Sequence, residues 1–334
     1  MFDLHPIFKL REEPTESIIQ LLESVTLGTN GTQYRHLDTR QRISEADASL
    51  FLSIERNERV FGNVTFCQRD DNWYIRYYAF DEAFQSEGKQ KSRSGDGMIK
   101  SELKRFFKEA DQKHGKTLYA YIDPHNEKSL WMSEFFGLNK ISMLSTQTFS
   151  RTKNKKETRV HQYSDWTKFD SLVRSTHAHK SFYFEAQCSK APFYAIFEKQ
   201  ECVAFAKVNT AHWKFDRMPG RWGNTKLKLI PFVPKINKII HPEDHYFAVP
   251  EAIYIKNNDP YLLEELFEGI LSWENANSMF WWIDSKDQLY QNVTNKVSWG
   301  PLHKIVGVNE VSVVARGIGA TENTEVFISG FDFI

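Results

Sequence analysis

The sequence predicts an α/β chain of two domains in tandem, each a mixed, mainly antiparallel sheet flanked by helices. Three observations predict it. Short apolar runs bounded by polar turns alternate with longer segments whose apolar residues recur at helical spacing, the signature of strands and amphipathic helices in one chain. A strand, helix, strand order occurs twice, the second strand reading "LYAYID" and then "FWWID", each copy ending in Ile-Asp, at Asp123 and Asp284. A polar, mostly basic run, "SRTKNKKETR" over 150–159, separates two halves and reads as an exposed linker, which sets domains at 1–152 and 158–334. With 334 residues, 41% of them hydrophobic and 14% aromatic, the chain can fill two cores.

The elements follow in order. "FKLREEPTESIIQLLESV" gives a strand and a capped helix, and "SLFLSIERNERVFGNVTFCQRDDNWYIRYYAF" gives three strands divided by the turns "RNER" and "RDDN". In "EGKQKSRSGDGMIKSELKRFFKEADQKHG" the residues Ile99, Leu103, Phe106, Phe107 and Ala110 form one stripe, so a glycine-rich loop opens an amphipathic helix. "TLYAYID" is a buried strand, "NEKSLWMSEFFGL" a short helix, and "KISMLSTQTFSR" the strand that closes the first half. In the second half "EAIYI" is a strand, "DPYLLEELFEGILSWENAN" a helix, "MFWWID" a strand and "EVSVVARGI" a closing strand. Both copies reach a glycine soon after the Ile-Asp pair, Gly137 and Gly300, and the whole reads as an internal duplication.

Composition excludes several classes. Lys+Arg and Asp+Glu stand at 43 each, so no global field draws the chain to nucleic acid or membrane and any such affinity must be local. Cys67, Cys188 and Cys202 are an odd number at wide spacings, which suggests neither a disulfide framework nor a zinc site and fits a reducing cytosol. The start "MFDLHPIFKLREEP" has no basic region followed by an apolar run, and no stretch approaches the ~18 apolar residues of a membrane helix. The expectation is a cytoplasmic protein with no membrane partner.

The glycine loop carries the clearest chemistry. A helix start leaves amides unpaired and carries partial positive charge, so a loop whose backbone approaches closely there makes an anion site. Gly95 and Gly97 allow that approach, and Lys89, Lys91, Arg93 and Lys100 outnumber Glu87 and Asp96 around them, which suits a polyphosphate. The competing reading is an ordinary surface turn.

In its context the loop "SRSGDG", followed by a strand and then by Asn126, Ser129 and Gly137-Leu138, resembles the phosphate loop and asparagine element of the GCN5-related N-acetyltransferases. The resemblance covers residues 1–150 well and the second half in outline. It implies two tandem acetyltransferase-like domains, with acetyl-coenzyme A or another acyl-coenzyme A in the first. It further implies that the amides of Arg93, Ser94, Gly95, Asp96, Gly97 and Met98 hold the pyrophosphate and that Asn126 and Ser129 contact the cofactor's arm. A backbone amide between Tyr78 and Phe80 would polarise the thioester. Two positions depart from the family: Ser92 stands where a basic or amide residue is usual, with Arg93 beside it, and Ser133 stands where a tyrosine often protonates the thiolate. A serine hydroxyl is a poor proton donor. For the catalytic base the candidates are Glu55, Asp81 and Glu82, at or beyond strand ends, and Glu82 is named for the role.

The second half lacks the loop. Its helix begins "NNDPYLLEELFEG", with Asp259 placed to cap the free amides and Pro260 at the first helical position, so it is expected to bind no coenzyme A and to serve the acceptor or the fold. Residues 212–240, "HWKFDRMPGRWGNTKLKLIPFVPKINKII", hold seven Lys or Arg against Asp216 alone, with Trp213 and Trp222 among them; this stretch could grip an acidic acceptor or RNA, or be a solvated insertion. His177 and His179 read as a surface pair and not a metal site, and Phe280, Trp281 and Trp282 as core. The function expected is acyl-coenzyme A-dependent N-acylation of a small amine or peptide amine. The alternatives are a non-catalytic regulatory protein on this fold and a transferase that uses aminoacyl-tRNA.

Overall fold

The structure, a computed structural model, describes residues 2–28, 32–46, 48–57, 59–81, 97–153, 158–185, 189–190, 192–218, 220–317 and 325–333. Its strands in chain order are β1 Phe8–Arg11, β2 Gln33–His36, β3 Ser49–Arg56, β4 Arg59–Arg69, β5 Asn72–Phe80, β6 Thr117–Ile122, β7 Asn139–Ser150, β8 His161–Tyr163, β9 Phe193–Glu198, β10 Glu201–Arg217, β11 His245–Ile255, β12 Ser278–Asp284 and β13 Asn309–Arg316. The helices are α1 Glu16–Glu23, α2 Thr39–Glu45, α3 Met98–Gln112, α4 Glu127–Phe135, α5 Asp170–His177, α6 Gly223–Leu229, α7 Pro234–Asn237, α8 Pro260–Trp273, α9 Gln288–Val293 and α10 Pro301–Val306.

The chain forms two compact units. Unit 1 comprises Met1–Leu27, Leu37–Ile141 and Val313–Glu322, and unit 2 comprises Gly28–His36, Ser142–Ser312 and Asn323–Ile334. In unit 1 the strand order is β1-β3-β4-β5-β6 and then β13, antiparallel from β1 to β5 and parallel between β5 and β6. Period-two alternation makes the sheet amphipathic on both sides. On one face Val64, Phe66, Trp73 and Leu118 are buried against Leu103, Phe106, Phe107 and Ala110 of α3, and on the other Phe51, Tyr77 and Ala79 meet Ile18 and Leu22 of α1. Helix α1 starts where Thr15 accepts from the Ile18 amide at 3.4 Å, as its sequence predicts.

Unit 2 repeats the plan, with β12, β11, β10, β9 and β8 in order and β11 parallel to β12. Helix α8 buries Leu263, Leu266, Phe267, Ile270 and Leu271 in a core with Val203, Val208, Met279 and Trp281. The outer end of β10 pairs with β2, where Trp213 stacks on Tyr34 at 3.9 Å between ring centres.

The closing strands depart from the expected order. Ser145 to Ser150 of β7 pair with β12 in unit 2, while Val313 onward of β13 belongs to unit 1, where Arg316 bonds the Phe136 carbonyl at 2.7 Å and Asp111 at 3.1 Å. The units are therefore not contiguous, and the division nearest the linker falls at 141/142 where the linker had placed one at 152–158. A polar run reports exposure, whereas membership of a sheet is decided by pairing with strands distant in sequence.

The repeated Ile-Asp and glycine positions have a backbone role. Asp123 accepts from the His125 amide at 2.8 Å and Asp284 from the Lys286 amide at 2.9 Å, the same turn at the end of each equivalent strand. Gly137 and Gly300 both have left-handed φ, +77° and +89°, and a Cβ on Gly300 would lie 2.0 Å from the Ser150 carbonyl oxygen.

Candidate active site

The site is built on the opening between β5 and β6. Their parallel ladder has three pairs, Asn72 to Thr117, Trp73 to Leu118 and Tyr74 to Tyr119, although β5 continues to Phe80 and β6 to Ile122. The cause lies on the other edge of β5. Its register with β4 shifts between Thr65, opposite Tyr77, and Phe66, opposite Ile75, which leaves Arg76 as a bulge residue. A bulge bends and twists its strand, so β5 turns away from β6 just past the last shared pair. Farther along, Phe80 lies over Gly62, where a Cβ would come within 2.7 Å of its ring.

Two helix starts flank the opening. At the N-terminus of α3, Gly97 is the cap residue, no side chain among the described residues caps the first amides, and the first turn holds no acidic residue. Met98 is 49% exposed there. The neighbouring helix α4 is capped by Asn126, whose Oδ1 accepts from the Ser129 amide at 3.1 Å. Its Nδ2 has no hydrogen-bond partner among the described residues. The ammonium of Lys100 lies 4.9 Å from the Trp131 ring centre and that of Lys104 lies 4.4 Å from Phe135, which packs the first two turns of α3 against the middle and end of α4. Trp131 is 52% exposed and stacks on Phe135. Sequence reasoning passed over this indole, although a tryptophan two residues from Ser129 on a short polar helix was a visible signal.

Of the residues expected at the site, Tyr78, Phe80, Gly97, Met98, Asn126, Ser129 and Ser133 are on these elements, while Glu82, Arg93, Ser94, Gly95 and Asp96 lie outside the described residues. Ser133 is buried and its hydroxyl donates to the Leu130 carbonyl at 2.7 Å, a bond within its own helix. Tyr78 lies nearby, its ring 6.2 Å from Phe136 and 4.9 Å from Phe80. The residue as a whole is 39% exposed, burial of the phenol end raises its pKa, and the hydroxyl makes no hydrogen bond among the described residues.

Of the carboxylates named as candidate bases, Glu55 and Asp81 are already engaged. Glu55 accepts from Arg11 at 2.5 and 3.0 Å and from Ser53 at 2.5 Å; burial pushes its pKa up, and these bonds outweigh burial and hold it below the usual range. Asp81 pairs with Arg59 at 2.6 Å. A different group stands at the end of β6: His125, with its side chain 78% exposed, places Nδ1 3.0 Å from Asp123 Oδ1. A carboxylate that accepts from Nδ1–H leaves Nε2 as a proton acceptor. The sequence signal was "DPHN", read only for its asparagine.

Unit 2 has the same opening in a narrowed form, which keeps a cavity of about 230 Å³ lined by His177, Glu251, Tyr254, Trp282 and Phe327. Strands β11 and β12 share one parallel pair, Ala248 with Met279, and the bulge of β11 places Ala252 at φ +50°. Contacts from the chain itself narrow the gap. His177 Nε2 lies 3.1 Å from the Ile253 carbonyl, the Val326 amide donates to Asp284 Oδ2 at 2.9 Å, and Glu251 accepts from Lys207, Ser329 and the Gly330 amide. His177 is thus a core residue and not half of a surface pair, and burial lowers its pKa to about 3. Asp259 caps α8 through the Tyr261 amide at 2.8 Å, with Pro260 behind it. Phe280 and Trp281 are buried, as expected. No group of metal-ligating side chains occurs among the described residues.

No protein-family model and no curated protein matches the sequence. Solved structures do match in fold. N-myristoyltransferase of Saccharomyces cerevisiae with bound myristoyl-CoA superposes with a TM-score of 0.56 at 8% identity, over 96% of this chain and 86% of that one. A second structure of that enzyme gives 0.55 at 8% identity, over 94% and 80%. A provisionally assigned acetyltransferase from Pyrococcus horikoshii gives 0.53 at 9% identity, over 99% and 97%. Together with the bulged, splayed parallel strands of each unit, these matches show that the chain has the GCN5-related N-acetyltransferase-type fold.

Proposed function

We propose that unit 1 binds an acyl-coenzyme A and transfers its acyl group to an amine. The observation that carries the reading is the pairing of an open strand edge, β5 beyond Tyr74, with an uncapped helix start at Gly97. An open edge offers backbone donors and acceptors to an extended amide chain, and an uncapped helix start favours a diphosphate. Lys100 and Lys104 add positive charge beside them, and Trp131 offers an exposed aromatic face for a base. Unit 2 differs at the helix start and at the strands, because its helix start holds the Asp259 carboxylate and residues 325–330 narrow its opening.

The bound thioester would supply an activated acyl group. Around it, His125, oriented by Asp123, accepts the proton that the attacking amine must lose. The Tyr78 hydroxyl gives a proton to the departing sulfur, the role that Ser133 cannot fill while bonded to Leu130. A raised pKa keeps this phenol protonated across the neutral range. Backbone amides between Tyr78 and Phe80 polarise the carbonyl. The acceptor is a small amine or a peptide amine.

A second reading, a regulatory protein that keeps the fold without turnover, is favoured by one observation: Ser133, Glu55 and Asp81 are all engaged elsewhere. Calorimetric titration with acetyl- and long-chain acyl-coenzyme A, followed by thiol release across an amine panel, separates the two. Absence of binding removes both cofactor readings, and binding without turnover selects the second.

A further inference from the structure

Between Asp216 and Glu243 the chain has no acidic residue, and it carries Arg217, Arg221, Lys226, Lys228, Lys235 and Lys238. The structure turns this stretch into a platform. Helix α6, a short turn over Ile230–Phe232 and helix α7 follow β10, and Ile230, Ile239 and Ile240 are buried beneath them. Outward stand four apolar side chains: Trp222 is 64% exposed, Leu229 55%, Phe232 81% and Val233 42%. Arg221 lies 5.9 Å from the Trp222 ring. The nearest acids in sequence are neutralised, Asp216 by Arg35 at 2.8 Å and Glu243 by Lys214. By contrast Arg221, Lys228, Lys235 and Lys238 are exposed and make no ion pair among the described residues.

We propose that residues 217–242 dock unit 2 on an anionic lipid surface. Large apolar side chains held outward among cations are what the bilayer interface accepts: tryptophan and phenylalanine at headgroup depth, aliphatic side chains toward the acyl boundary, and Lys and Arg on anionic headgroups. Leucine and valine decide against nucleic acid, which gains from stacked aromatic rings and not from aliphatic groups. The expectation of no membrane partner rested on the lack of a spanning helix, and no helix among the described residues is long and apolar enough to cross a bilayer. Lying on a surface needs no such helix.

Co-sedimentation of the full chain with phosphatidylcholine vesicles, with and without phosphatidylglycerol, tests this. The protein should pellet with the anionic vesicles, release as salt rises, and stay in solution with phosphatidylcholine alone. Two double variants, Trp222→Ser with Phe232→Ser and Lys228→Glu with Lys235→Glu, should each weaken binding by more than about tenfold while melting like the parent, because all four side chains are exposed. Absence of pelleting with anionic vesicles overturns the proposal, as does pelleting of both variants to the same extent as the parent. Capture of single-stranded RNA without vesicle binding overturns it in favour of nucleic acid.

Discussion

Replacement of Gly97 by glutamate puts a carboxylate at the start of α3, where the account places the cofactor's diphosphate. The substitution is sterically free. The backbone there has φ −56°, ordinary for any residue, and among the described residues nothing lies within 4 Å of a Cβ built on it. A carboxylate at a helix start stabilises the helix by roughly 0.3–1 kcal/mol, so the folded state should not suffer. Against a diphosphate about 5 Å away, one charge pair costs about 3 kcal/mol at an effective dielectric of 20 and about 0.8 kcal/mol in bulk water. The loop is exposed at Gly97, so the outcome lies between these limits, at about 1–3 kcal/mol, and affinity for acyl-coenzyme A should fall roughly five- to 150-fold. Isothermal titration reads this directly, with a melting curve beside it. The control is Tyr261→Glu at the start of α8, 80% exposed, which should leave affinity unchanged. Gly269 in the same helix cannot serve, because a Cβ there would lie 2.2 Å from Val160 Cγ2. Affinity of Gly97→Glu within twofold of the parent refutes the placement.

Other expectations follow from the same geometry. Ser133→Ala should lower the turnover rate only a few-fold, whereas Tyr78→Phe should lower kcat by roughly a hundredfold with little change in KM, read by thiol release; the reverse order would return the acid role to Ser133. His125→Ala should lower kcat by roughly a hundredfold while leaving acyl-coenzyme A affinity unchanged, and an unchanged kcat would exclude it as the base. His177 and His245 are buried with pKa lowered to about 3, so each binds its proton far more readily in the unfolded chain; stability is intact above about pH 6.5 and falls by about 1.4 kcal/mol per group per pH unit as pH drops toward 3. Denaturant melts of His177→Gln across that window should show a shallower slope. Arg217, Arg221 and Lys226 changed together to glutamate should leave acyl-coenzyme A affinity within about twofold, because they belong to unit 2.

Much of the fold was legible because local pattern and tertiary role agree. The stripe of Leu103, Phe106, Phe107 and Ala110 predicted α3 and its buried face, and Asp259-Pro260 predicted a capped helix start. The recurrence of Asp123 and Asp284 predicted two copies of one plan. What escaped was non-local. That the end of β13 belongs to unit 1 and most of β7 to unit 2 follows from pairing across long sequence separations, which no window of residues records. The bulge at Arg76 that opens the strands depends on a register shift against β4, invisible in "WYIRYYAF" alone. His177 was misread because two histidines beside a lysine look solvated, whereas the helix turns one of them inward to the Ile253 carbonyl. Residues 212–240 were correctly read as basic, but which of their apolar side chains face outward is set by Ile230, Ile239 and Ile240 packing inward.

The central claim is that one unit, and not its copy, holds the cofactor. A crystal structure of the chain with acetyl-coenzyme A tests it most directly. The expected result is an extended chain of density along β5 beyond Tyr74, with the diphosphate at the amides following Gly97, and residues 325–330 still in place beside β11 and β12. Density between β11 and β12 with those residues displaced, or a diphosphate at the start of α8, would contradict it.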